Sequence, residues 1–371
     1  MEHVMVRFLP FLAVISWTGL CITHPPAKNW QKLYQQPYEK LPIPKLGLRP
    51  ILQTADGTPI NTAKGWQQQR KTIASKWQQR LGKAPTVPNR LDVQTHKTEK
   101  QDGYTRKLVS FRAANGDRIN AYLLIPDGIR PGEKRPAVVV FHQTTKFTLR
   151  EPVGLGPNAS LALAEHLVKR GYVVLAPECY IMKAKGPRDQ AKVIAEMWPD
   201  WTGMGKMVFD ASRCVDFLQS LSFVDASRIG CIGHSLGAKQ VLYAMAFEPR
   251  FAVGVFNEGG IGLRMSNWTD PWYLTARMKA HIPNMEHHQV LALVAPRPIL
   301  ILGGDSADGD DSWPFLHAAL PVYRLLKAEE KIGLMNHHGK HSFPQPARRA
   351  AYEWIDHWLE FTPVKDEVGP E

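Results

Sequence analysis

The residues most able to do chemistry lie in "RIGCIGHSLGAKQ", residues 228 to 240, where Ser235 stands between Gly233 and Gly237. An apolar run precedes the serine and a helical pattern, "GAKQVLYAMAF", follows it. A strand that turns sharply into a helix holds such a serine in a strained conformation at the carboxyl end of a sheet. The small glycines permit the close approach, and the helix N-terminus aims N–H groups at developing negative charge. The chemistry this serves is nucleophilic attack on a carbonyl, with the Leu236 N–H as one oxyanion donor.

A serine hydroxyl needs an imidazole to take its proton and a carboxylate to orient that imidazole. On such a framework the chain order is nucleophile, acid, histidine. The loop "NHHGKHSFP" offers His337, His338 and His341; His341, further out and ahead of the last helical pattern, is the expected base, with His338 next. The acid is less sharply marked. Asp305, Asp308, Asp310 and Asp311 follow the run "PILILGG", and Glu258 follows "AVGVFN". Asp308, beside Gly309 at a turn, is the first choice; Asp311 and Glu258 remain open. Asp305 suits a local turn bond, and Asp310 and Asp311 suit a helix start.

The elements that must position these groups follow from periodicity. Short apolar runs ("PAVVVFH", "GYVVLAP", "RIGCIG", "FAVGVFN", "RPILILGG", "KIGLMNH") alternate with helical stretches, which predicts an α/β fold with a mostly parallel sheet covered on both faces. Before them, "TRKLVSFRAANGDRINAYLLIP" reads as a hairpin about Asn115-Gly116. Earlier still, Thr62 caps a helix that places Trp66, Ile73, Trp77 and Leu81 on one side. The expected organisation is a leader or anchor over 1–23, an N-terminal extension with one helix over 24–100, a catalytic domain over 101–362 and a flexible tail over 363–371.

Composition bounds the rest. The 371 residues are 44% hydrophobic and 22% charged, ordinary for a soluble globular chain. The net charge of +12 is spread along the sequence without a dense basic run, so no nucleic-acid partner is expected, while attraction to polyanions stays open. Arg7 followed by "FLPFLAVISWTGLCI" and a polar exit reads as a secretory signal or an uncleaved anchor, the sole membrane attachment anticipated. Cys179, Cys214 and Cys231 lack metal-site spacing and read as buried thiols, though one disulfide after export is open. The loop histidines and the aspartate cluster fit neither a helical metal site nor a calcium loop, so no metal or cofactor is expected.

The span from about 100 to 360 resembles α/β-hydrolases of the dienelactone hydrolase and acetyl xylan esterase type. The resemblance rests on "GKMVFDASRCVDFLQSLSFVDASRIGCIGHSLGAK" and "GKHSFP". It implies carboxylic ester hydrolysis by Ser235, Asp308 and His341, with a small-molecule or carbohydrate ester as substrate and acetyl esters of carbohydrates among the options. Dienelactone hydrolases proper use a cysteine where this chain has Ser235. Glucuronoyl esterases carry an arginine where this chain has Leu236, although Lys239 falls as in their pattern. "FHQTT" replaces the "HGGG" of many lipases, which assigns the second oxyanion donor to the main-chain N–H of Gln143 or Thr144. Loops rich in tryptophan, 179–205 and 257–285, lie beyond strand ends, where they stack on sugars or form ordinary loop cores. A serine peptidase of the same fold and a catalytically silent binding protein are the competing classes.

Overall fold

The computed structural model describes residues 28–35, 46–114, 116–183, 186–275 and 285–370; the leader or anchor expected over 1–23 lies outside them. The sheet opens with β1 (Gln94–Gln101), β2 (Tyr104–Arg112) and β3 (Arg118–Pro126). The last two form the expected hairpin, with Arg112 opposite Arg118. β1, "QTHKTEKQ", shows no apolar alternation because it is the exposed edge of the sheet, where charge discourages pairing with another chain.

The six apolar runs become β4 (Arg135–Phe141), β5 (Val173–Pro177), β6 (Val224–His234), β7 (Val253–Asn257), β8 (Ile299–Gly303) and β9 (Ile332–Asn336). The strand order is β1-β2-β3-β5-β4-β6-β7-β8-β9, parallel from β5 onward. Alternate residues of one strand feed opposite cores: Ala137, Val139 and Phe141 join one cluster, Val138 and Val140 the other. This is why the runs are continuously apolar rather than alternating.

Helices α1 (Trp30–Tyr34), α3 (Leu163–Lys169) and α9 (Gln345–Trp358) cover one face. The opposite face carries α2 (Ala63–Leu81), α5 (Gly203–Gln219), α6 (Leu236–Phe247), α7 (His287–Val294) and α8 (Trp313–Leu325), while α4 (Pro187–Met197) lies in the loop region after β5. As the spacing predicts, α2 buries Trp66, Ile73, Trp77 and Leu81, and Thr62 Oγ accepts the Gly65 N–H at 3.1 Å. The extension thus holds α1 as well as the one helix expected. The tail is not loose. The buried Arg348 donates through Nε to the Val368 carbonyl at 2.8 Å, and Arg170 reaches Asp366 at 2.9 Å. Guanidinium donors without water need acceptors, and the tail carbonyls supply them. Cys179, Cys214 and Cys231 are buried free thiols.

Five imidazoles are enclosed by this framework among the described residues, those of His142, His166, His234, His287 and His288. His142 accepts the Cys179 N–H through Nε2 at 2.9 Å, His234 meets the Asn257 amide at 2.7 Å, and His287 lies between the Tyr243 hydroxyl and the Ile261 carbonyl. Burial pushes His142, His166 and His288 down to about 4, and His234 and His287 down to about 3. Folding therefore favours the neutral rings: their contribution is intact above the unfolded value of about 6.5 and drains as pH falls toward the folded values. Asp308 acts in the opposite sense, because burial pushes its carboxyl up to about 6 and folding then favours its protonated form. The balance from pH 7 to pH 5 is a net loss of stability, because five imidazoles that fold neutral outweigh the Asp308 carboxyl that folds protonated. Urea unfolding at the two pH values measures it, and equal stabilities contradict the account.

Candidate active site

Strand β6 runs directly into α6 through Ser235, whose φ of +57° and ψ of −115° mark a strained elbow. Two glycines make it possible. A Cβ at Gly233 would fall 2.3 Å from the Gly237 carbonyl carbon, and one at Gly237 would fall 2.0 Å from the Phe141 oxygen. The second contact presses the elbow against the end of β4, where the His142 oxygen lies 3.1 Å from the same Cβ position. The Ser235 N–H is tied to the Asn257 carbonyl at 2.8 Å, so β7 fixes the elbow from its other side.

The Ser235 hydroxyl lies 2.9 Å from His341 Nε2. Its direction follows from the other ring nitrogen: His341 Nδ1 lies 3.1 Å from Glu258 Oε2, so Nδ1–H donates to the carboxylate and Nε2 accepts from the serine. The imidazole is partly open to solvent, whereas the Glu258 side chain is fully buried. Ser235 and His341 are thus brought together as the sequence suggests, and the carboxylate on the imidazole is Glu258.

Asp308 does not hold the imidazole, which corrects the first choice made from sequence. Its side chain turns inward but away from His341, accepting the N–H groups of Gly260 at 2.6 Å and Ile261 at 2.8 Å and the Ser312 hydroxyl at 2.9 Å. The two N–H groups belong to the loop after β7, the loop that carries Glu258. Glu258 in return accepts N–H groups from the loop after β8, those of Gly304, Ala307 and Asp308. Each carboxylate therefore clamps the other's loop. Among the remaining aspartates, Asp305 pairs with the exposed His338 at 2.6 Å, Asp310 accepts from Asn336 at 3.1 Å and Asp311 is exposed. The Asp305 carboxylate raises the His338 imidazole above its ordinary value.

A layer of side chains beneath the imidazole has no signature in the sequence. Asn257, fully buried, donates through Nδ2 to His234 Nδ1 at 2.7 Å and to the Ser342 carbonyl at 3.0 Å. Its Oδ1 faces His337 Nε2 at 3.3 Å. The His234 ring lies 4.8 Å from the His341 ring, centroid to centroid, at 43°. Asn257 therefore ties the strand under the nucleophile to the residue after the base. Lys239, in the first turn of α6, is also buried; it donates to the Gly259 carbonyl and to Ser266 Oγ, and sits 4.5 Å from the centre of the Trp268 ring. Burial lowers its ammonium to about 8.

The two oxyanion donors expected from sequence lie at the start of α6 and just past β4. Leu236 opens α6, so the helix makes no use of its N–H. Gln143 stands two residues past the end of β4, and its side-chain amide is held by Glu151 at 2.8 Å. His142, through its Nδ1–H to the Gln143 carbonyl at 2.7 Å, fixes the orientation of that peptide.

Three kinds of likeness agree with this architecture. The carbohydrate esterase MZ0003 of an unknown prokaryotic organism is 22% identical over 79% of this chain and 83% of its own. A 4-O-methyl-glucuronoyl methylesterase 1 of Wolfiporia cocos is 23% identical over 82% of this chain and 78% of its own. Among solved structures, a glucuronoyl esterase from Solibacter usitatus superposes with a TM-score of 0.69 at 20% identity, covering 86% of this chain and 98% of that one. The sequence pattern of one hydrolase family runs through residues 119–354, from the hairpin strand β3 through the elbow and the histidine loop into α9. With its strained serine and its mostly parallel nine-stranded sheet, the chain belongs to the dienelactone hydrolase family of the α/β-hydrolase superfamily.

Proposed function

We propose that this protein is a serine hydrolase of carbohydrate esters whose substrate is an ester of a uronic acid carboxyl group. The observation that carries the reading is the unbroken line from the Ser235 hydroxyl through His341 to Glu258, at 2.9 and 3.1 Å. The substrate class draws its support from relatives that bear the names carbohydrate esterase and glucuronoyl methylesterase over most of this chain.

The steps follow from the geometry. His341 Nε2 takes the Ser235 proton as Oγ bonds to the ester carbonyl carbon, and the imidazolium that forms faces the Glu258 carboxylate. The carbonyl oxygen becomes an oxyanion against the main-chain N–H groups of Leu236 and Gln143. His341 then passes the proton to the departing alcohol oxygen, the C–O bond breaks, and an acyl-serine remains. Water, deprotonated by the same nitrogen, attacks that acyl group; the proton returns to Ser235 and the acid leaves. In a uronate ester the sugar is the acyl part; in an acetylated sugar it would be the alcohol. These steps call for no metal or cofactor. The run at Arg7 to Ile22 supports an exported enzyme that meets its polysaccharide outside the cell; among the described residues no helix is long and apolar enough to cross a membrane.

The purified protein should hydrolyse a glucuronate methyl ester faster than acetylated xylan or p-nitrophenyl acetate, and should leave a dipeptide anilide intact. Preference for the acetyl substrates rejects the uronate reading, and cleavage of the anilide rejects the esterase reading. Ser235→Ala should lower kcat by about 10⁴-fold or more while the thermal transition stays in place. A folded, active Ser235→Ala variant removes the mechanism.

The two carboxylates should separate under mutation. Glu258→Gln keeps the length of the side chain but loses the charge facing the imidazolium, so kcat should fall by about 10³- to 10⁴-fold. Asp308→Asn leaves the Glu258–His341 pair in place and replaces an acceptor oxygen with a donor opposite a backbone N–H. It should cost about 1–3 kcal/mol of stability and a much smaller factor in kcat. Steady-state kinetics beside thermal melts compare the two, and the opposite ranking in kcat returns the acid role to Asp308.

A further inference from the structure

We infer that the exposed face of α2, with the chain that follows it to Lys83, is a docking surface for an acidic polysaccharide bearing free carboxylates. The inference rests on the carbohydrate-ester reading for its choice of polymer. Its physical basis is the charge pattern: between Asp56 and Asp92 the sequence has no acidic residue and seven basic ones, against +12 for the whole chain.

The structure puts six of these cations, all but Arg90, on α2 and the chain that follows it to Lys83. Helix α2 turns Trp66, Ile73, Trp77 and Leu81 into the core, and Trp77 Nε1 donates to Gln289 at 3.1 Å. Lys64, Lys71, Lys76 and Lys83 are consequently exposed, and none of them forms an ion pair among the described residues. Arg70 and Arg80 are half-buried, the Arg70 guanidinium donating to the Leu293 carbonyl at 3.1 Å. At the usual rise per residue, Lys64 to Lys83 spans roughly 28 Å, enough for several sugar units.

The groups between the cations decide the partner. Gln67, Gln68, Thr72, Ser75 and Gln79 are exposed there, amides and hydroxyls suited to sugar hydroxyl groups. A groove of about 520 Å³ beside the helix is lined by Ser75, Gln78, Gln79, Gly82, Lys83 and Asp200. No large apolar side chain is exposed on α2, which leaves nothing to enter a lipid surface. Both of its tryptophans are buried, which leaves nothing to stack on nucleobases. Cations for carboxylates and amides for hydroxyls together describe a uronate-bearing glycan.

The reaction proposed for Ser235 supplies the same charge, since hydrolysis of a uronate ester leaves one carboxylate on the polymer per turnover. A surface that prefers free carboxylates would hold the enzyme on stretches already carrying them.

The test is affinity electrophoresis and co-sedimentation of the full-length protein with de-esterified glucuronoxylan, neutral arabinoxylan, anionic phospholipid vesicles and double-stranded DNA. Wild type should bind the acidic xylan over the neutral one and release it as salt rises, because exposed charges are screened beyond about 10 Å at 0.1 M. A variant carrying Lys64→Gln, Lys71→Gln, Lys76→Gln and Lys83→Gln should bind the acidic xylan roughly thirtyfold more weakly, four exposed ion pairs at their ordinary strength. Its kcat/KM on a small soluble ester should equal that of wild type, and the matching four Lys→Arg changes should retain binding. Undiminished binding by the Gln variant overturns the inference. So does equal binding of wild type to neutral xylan, or a Gln-variant loss confined to vesicles or DNA. Salt-sensitive acidic-xylan binding in a protein that hydrolyses no uronate ester refutes the substrate reading and leaves the surface in place.

Discussion

The exchange of carboxylates between two neighbouring loops holds the candidate site together. Glu258 leaves the end of β7 and receives N–H groups from the loop after β8; Asp308 leaves that second loop and receives N–H groups from the first. A buried carboxylate is costly unless its oxygens are satisfied, and main-chain N–H groups satisfy it without bringing in a cation that would compete for the imidazole. Neither loop can shift without orphaning an acceptor in the other. The position of Glu258 against His341 is therefore set by two backbones at once.

This coupling extends well beyond the loops. His287 donates through Nδ1–H to the Ile261 carbonyl, and its ring centre lies 4.3 Å from that of Trp268 and 5.4 Å from that of Trp77 of α2. Lys239 links Trp268 to the Gly259 carbonyl, one residue past Glu258. The N-terminal extension is thus part of the packing that supports the acid loop, reached through aromatic rings that shut water out. On the other side of the nucleophile, Asn257 and His234 support the base. Burial keeps His234 neutral beside an imidazole that must become charged during turnover, so the layer adds no second positive charge there.

How much of this could be read from the chain depends on the range of the interactions that decide each part. The six parallel strands were legible because burial on both faces leaves continuous apolar runs, and the elbow because Gly233, Ser235 and Gly237 act over five residues. His341 followed from its place between the last strand and the last helix. β1 was not legible, since an exposed edge carries no apolar period, and the hold of Arg348 on the tail depends on carbonyls that every sequence has. Asp308 misleads for a subtler reason: it is buried beside Gly309, as the turn there suggests. What the sequence could not say was that the nearest donors inside would be the amides of 260 and 261 rather than an imidazole.

The choice between the two acids comes down to reach. In the sheet β8 lies between β7 and β9, and His341 stands on the loop that leaves β9. A carboxylate starting from β7 must cross the end of β8 to meet that loop, and the extra methylene of glutamate lets it do so while its oxygens still collect N–H groups on the way. An aspartate starting from β8 has the shorter side chain and the shorter task, which is to bridge to the adjacent β7 loop. Glu258 also has a φ of +56°, a left-handed conformation that costs free energy in a non-glycine residue. That cost is met by the N–H groups its carboxylate gathers and by the amides of Gly260 and Ile261, held by Asp308 just beyond it. Two acids of different length on adjacent strands thus divide the work, the longer one facing the imidazole and the shorter one fixing the loop from which the longer one starts.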